Sequence, residues 1–82
     1  MFYDEYGTKI NNGSLIHFTN KRYPEHIRGD RPIVEVVATA HIIKYKGGTT
    51  MFMLVNRKLF KDKYGIFGFA LDGEPCYGVR VL

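Results

Sequence analysis

The sequence predicts a mainly β fold: a small five-stranded SH3-like or OB-like barrel with one short helical turn. Three observations predict it. The segments "IVEVVATAHIIKYK" and "TTMFMLVN" are rich in β-branched residues and flank a Gly-Gly pair, the pattern of a β-hairpin. The stretches "IFGFAL" and "CYGVRVL" flank Asp72-Gly73 and read as a second hairpin. The opening "DEYGTKINNGSLIHF" places two Gly-centred bends before a short apolar strand.

In chain order, Gly7 and the Asn-Asn-Gly at 11–13 tolerate positive φ, so the backbone reverses twice around Ile10 before a strand from Ser14 to Thr19. Residues 20–32 are broken by Pro24 and Pro32 and lack an apolar period, as expected of an exposed loop long enough to carry function. With Gly47 and Gly48 as the turn of the first hairpin, Lys46 opposes Thr49, Ile43 opposes Phe52, Ile42 opposes Met53 and His41 opposes Leu54. Both faces of that ribbon are then substantially apolar and need cover. Either a partner copy supplies it, with Ile42, Met51 and Met53 as the dimer face, or a bulge near Ala38–Ala40 lets the two halves of the strand serve different sheets. After Asn56, "RKLFKDKYG" predicts one helical turn capped by Asn56 and closed by Gly65.

The 82 residues fit a single domain, 1–82. A chain of this size buries only about 60% of the surface its unfolded form exposes, so the core is thin and a deep enzyme cleft is not expected. Cys76 is the sole cysteine, which forbids an intrachain disulfide. With no long apolar run and no leader-like start, the expectation is a soluble cytoplasmic protein with no membrane partner. The net charge of +4 is concentrated at 20–31 and 57–63. It fits anionic partners and, equally, simple solubility.

The opening stretch resembles a segment of YopX-like proteins, small β-rich proteins of phages and prophages, in the pattern D-x-x-G-x-x-I-x-x-G-x-x-[IV]-x-F. Asp4, Gly7, Ile10, Gly13, Ile16 and Phe18 fall on it in register, while Ser14 stands where that family usually carries an acid. The resemblance implies a barrel of SH3-like character and a mobile-element origin. It implies no chemistry, although small phage proteins frequently bind host factors, antiviral defence components among them.

Candidate binding residues are the bases and tyrosines at Lys21, Arg22, Tyr23, Arg28 and Arg31 and at Lys44, Tyr45 and Lys46. A Tyr beside a cation can stack on a base or nucleotide while the cation holds phosphate; alternatively the ring covers a barrel end. Phe67 and Phe69 in "GIFGFAL" partly match an RNA-binding strand, yet Gly65 and Ile66 stand where a base and a glycine belong, and the same residues suit a core. His17, His26 and His41 have no metal-ligand spacing, and no dyad, nucleophile–base pair or phosphate loop is visible around Cys76 or the scattered acids. The expectation is therefore a non-catalytic protein without cofactor or metal. It would bind a host or phage protein through the 20–32 loop and the exposed side of the 33–56 hairpin, block or modulate a host factor, and do so as a monomer or homodimer. The alternative is sequestration of single-stranded nucleic acid or an anionic nucleotide.

Overall fold

The computed structural model describes residues 1–62, 64–66 and 72–82. The chain opens with a two-stranded ribbon, β1 (Phe2–Tyr3) against β2 (Lys9–Ile10). Its bend is built on the carboxylate of Asp4. Oδ1 accepts the N–H groups of Tyr6 at 2.9 Å and Thr8 at 2.8 Å. Oδ2 accepts the N–H of Val81 at 2.9 Å, from the other end of the chain. Gly7 and Gly13 take φ of 85° and 89°, so both bends expected from the sequence form where the glycines allow them.

The ribbon leads into β3 (Leu15–Thr19), followed by β4 (Glu35–Tyr45), β5 (Gly48–Val55), β6 (Lys58–Leu59) and β9 (Val79–Val81). These five make one antiparallel sheet in the order β6-β5-β4-β3-β9, while β7 (Lys61–Asp62) and β8 (Gly65–Ile66) pair separately. The fold is mainly β, as expected, and among the described residues no sheet closes on itself.

Three local expectations need correction. In the β4–β5 hairpin the turn residues are Lys46 and Gly47, so Ile42 faces Met51, His41 faces Phe52 and Lys44 faces Thr49. Gly48, at φ 141°, is the first paired residue of the returning strand, and a Cβ on Gly47 would lie 3.1 Å from the Tyr45 ring. This slip of two positions keeps every side chain on its expected face, because side chains alternate with period two. The β4 pairs run without interruption from Glu35 to Tyr45, so there is no bulge at Ala38–Ala40. Instead β3 takes the first half of β4 and β5 the second. Finally, Asn56 and Arg57, both with positive φ (51° and 66°), form a two-residue turn of the primed type between β5 and β6, in place of a capped helical turn. The helix lies elsewhere, as α1 (Glu25–Arg28), one turn after Pro24 within the 20–32 loop.

Of the second hairpin, the "FGFAL" portion, residues 67–71, lies outside the described residues. The strand after it, β9, pairs with β3 on one side and on the other is held by Asp4 and Glu5, whose N–H donates to Val79 O at 2.8 Å.

One face of the sheet meets the ribbon. Ile16, Phe18, Ala38, Ala40, Met51, Met53 and Val79 pack with Phe2, Ile10 and Cys76 as the core. Each large apolar side chain buried there contributes about 1.5–3 kcal/mol. Ile42 is partly buried against this cluster, and Met51 and Met53 are buried within the single chain, so the dimer face expected at Ile42, Met51 and Met53 is in fact the core face. Cys76 is the small buried hydrophobe its sequence context predicts, and burial pushes its thiol up from the ordinary value.

Burial alone would raise the Asp4 carboxyl, but N–H bonds from Val81, Thr8, Tyr6 and Gly7 outweigh it and hold the group below its ordinary value. A depressed folded-state value stabilises the fold above the unfolded-state value, and that stability disappears as pH falls through the folded one. Asp4→Ala therefore lowers the unfolding free energy by about 2–4 kcal/mol at neutral pH, through three stranded donors. Asp4→Asn flattens the acid limb of the stability–pH curve. Urea titrations at stepped pH check both.

Candidate functional site: the open face of the sheet

The opposite face of the sheet has no covering layer among its described neighbours. Where all five strands overlap, cross-strand pairing lines up Leu15, Thr39, Leu54 and Leu59, and Leu82 extends the row, its N–H donating to Leu15 O at 3.0 Å. Adjacent strands are about 4.8 Å apart, so the row runs roughly 19 Å across the sheet. Val37, Ile43 and Phe52 flank it on β4 and β5. Leu15 and Val37 are each 52% exposed, Leu82 56% and Ile43 39%, whereas the residues alternating with them on β3 and β4, Ile16 and Ala38, are 0% and 2% exposed. The asymmetry between the faces is largest at Leu15 and Val37, while Thr39, Phe52, Leu54 and Leu59 of the same face are half-buried.

One corner of this face is polar. Glu5, Tyr6, His17, Thr19, Arg22, Glu35, Gly78 and Arg80 line a cleft of about 230 Å³. His17 and Arg80 are cross-strand neighbours, and His17 Nε2 lies 3.0 Å from Glu35 Oε1. Arg22 donates to Glu5, an interaction that lowers the carboxyl and raises the guanidinium from their ordinary values. The Arg22 guanidinium also lies over the Tyr77 ring, 5.1 Å from its centroid. Gly78 forms the floor. With φ 82°, its missing Cβ would sit 2.3 Å from Thr19 O, so this close backbone approach admits only glycine.

The residues singled out in the sequence do not meet at one place. Residues 35–43 of β4 separate the 20–32 loop from the hairpin tip carrying Lys44, Tyr45 and Lys46, roughly 30 Å of extended strand. The loop is tied down. Asn20, fully buried, donates through Nδ2 to Pro32 O at 3.0 Å and accepts the Val34 N–H at 2.8 Å. Arg22 serves Glu5, Arg28 donates to Arg31 O at 3.0 Å, Arg31 pairs with Asp62, and Tyr23 packs edge-on to Phe18 and donates to Tyr77 O at 2.9 Å. Tyr23 thus covers the end of the core, the second of its two expected roles. Lys21 and the tip residues Lys44, Tyr45 and Lys46 are exposed, with Tyr45 Oη accepting a bond from Thr50. Phe67 and Phe69 lie outside the described residues. His17 and His41 belong to the open face and His26 to α1, on separate elements.

Sequence reading expected the exposed side of the 33–56 hairpin to bind a partner but did not say which side that is, because both faces of the ribbon read as apolar. The available signal was the parity of Leu15, Val37, Leu54 and Leu59, legible only once the strand pairing is known. No helix of the described residues is long and apolar enough to cross a membrane. No protein-family model matches the chain, and comparison with curated proteins and with solved structures gives no significant match.

The two faces respond differently to charge. Val37→Lys changes the unfolding free energy by less than about 1 kcal/mol, whereas Met53→Lys buries an unpaired ammonium and unfolds the chain; thermal melts followed by circular dichroism distinguish them. Gly78→Ala costs about 2–4 kcal/mol from positive φ and the clash with Thr19, and the same melts read it.

Proposed function

We propose that the chain is a non-catalytic binding protein that engages a protein partner through the open face of its sheet. The observation that carries this reading is the leucine row with Val37 and Ile43 beside it, since small monomers rarely leave a contiguous apolar patch uncovered unless it meets another molecule. The motif at residues 4–18 supports, within the same proposal, a phage or prophage origin, an SH3-like arrangement of the strands and a host factor as the partner. Nucleic-acid or nucleotide binding is the weaker reading. Its bases at 20–31 are largely engaged in internal contacts, which leaves the tip at Lys44, Tyr45 and Lys46 about one strand length away.

A photo-crosslinking residue placed in turn at Val37, Leu54, Lys21 and Lys46 tests this in a bacterial lysate. The expected result is a discrete crosslinked protein from positions 37 and 54 and none from 21 or 46. Crosslinks confined to 21 or 46, crosslinks only to nucleic acid, or a crosslinked dimer of the chain itself would each overturn the reading.

A further inference from the structure

The charges bordering the open face define the chemistry of what covers it. Two carboxylates line its polar corner, and each already has a cationic or imidazole neighbour: Glu5 holds Arg22, and Glu35 holds His17. The remaining cation of the corner is Arg80, exposed on β9, with no ion pair among the described residues. It stands directly across from His17 and two residues before Leu82, so its guanidinium adjoins the end of the leucine row. An apolar surface laid over the row removes water from this corner and leaves the Arg80 guanidinium, which has no ion-pair partner among the described residues, without acceptors for its N–H groups, which is costly. The covering surface must therefore bring an acceptor for that fork.

Resting on the reading of the face given above, we propose that the partner seats an Asp or Glu carboxylate on Arg80 while its apolar side chains cover Leu15, Leu54 and Leu82. The planar fork of arginine matches a carboxylate in two parallel hydrogen bonds. A phosphate dianion suits the corner less well, because Glu5 and Glu35 share the cleft with Arg80 and repel a doubly charged group more strongly. The geometry also fixes a spacing. Alternate residues on a strand are about 7 Å apart, so the acid lies two positions from an apolar anchor in an extended partner segment, or three to four positions away in a helical one.

A display library of random dodecapeptides, selected against the intact chain and against Val37→Lys and Arg80→Glu variants, tests this. The expected binders are lost on Val37→Lys and are enriched in Asp or Glu at that spacing from an aliphatic or aromatic residue. Arg80→Glu weakens them by about tenfold or more and shifts the enrichment to Lys or Arg. Matching thermal melts establish that both variants are folded, and Arg80→Ala, which keeps the binders but loses the acidic preference, serves as the milder second variant. Binders that need Val37 yet show no acidic preference, or ignore Arg80→Glu, overturn the carboxylate seat and leave the binding face standing. Absence of any Val37-dependent binder overturns both. Displacement of the acidic peptides by inorganic phosphate more effectively than by acetate at equal ionic strength overturns the carboxylate in favour of a phosphate group.

Discussion

The Asp4 carboxylate is the contact on which the rest of this fold depends. It closes the first bend through Tyr6 and Thr8 and reaches across the chain to Val81. Strand β9 is only three residues long, and it is kept in the sheet by β3 on one side and the Asp4–Glu5 backbone on the other. That arrangement protects an edge strand that would otherwise present unpaired N–H and C=O groups. It also requires the backbone to pass close to Thr19, which Gly78 alone permits. A carboxylate satisfied almost wholly by main-chain donors has a structural role, and its burial and depressed titration are consequences of that role.

From this staple follows the asymmetry of the sheet. The ribbon that Asp4 shapes lays Phe2 and Ile10 against one face only, in the same buried cluster as Ala38 and Ala40. A thin chain has no second layer for the other face among its described residues. The row from Leu59 to Leu82 is left outward, with charged groups gathered at a single corner. The acids that balance the chain's excess of bases are largely occupied: Asp4 by the backbone, Glu5 by Arg22, Asp62 by Arg31. The charge pattern of the linear sequence therefore overstates how much basic surface the loop offers a ligand.

What could be read from sequence was local. The Gly-centred bends, the long hairpin and the mainly β character follow from residue chemistry over a few positions, and they match. The turn of the hairpin moved by one residue, and the pairing by two, because Gly47 and Gly48 are both permissive, and only the Tyr45 ring beside Gly47 and the φ of Gly48 choose between registers. The helical turn moved from 57–65 to 25–28 because Asn56 supplies a tight turn as readily as a helix cap. Which face of the sheet is open depends on which strand lies beside which, and no local signal carries the pairing of β3 with both β4 and β9. Basic residues that look like a patch in one dimension, Arg22 and Arg31, proved to be partners of distant acids.

The central claim is that one side of the sheet is open to water in the isolated chain. Methyl relaxation in a dilute solution of the isolated chain, with a soluble paramagnetic gadolinium chelate, tests it most directly. The account predicts strong broadening of the Leu15, Val37 and Leu54 methyls beside protected methyls of Ile16, Met51 and Met53. Equal protection of both sets would show that the face is covered within the chain itself and would contradict the account.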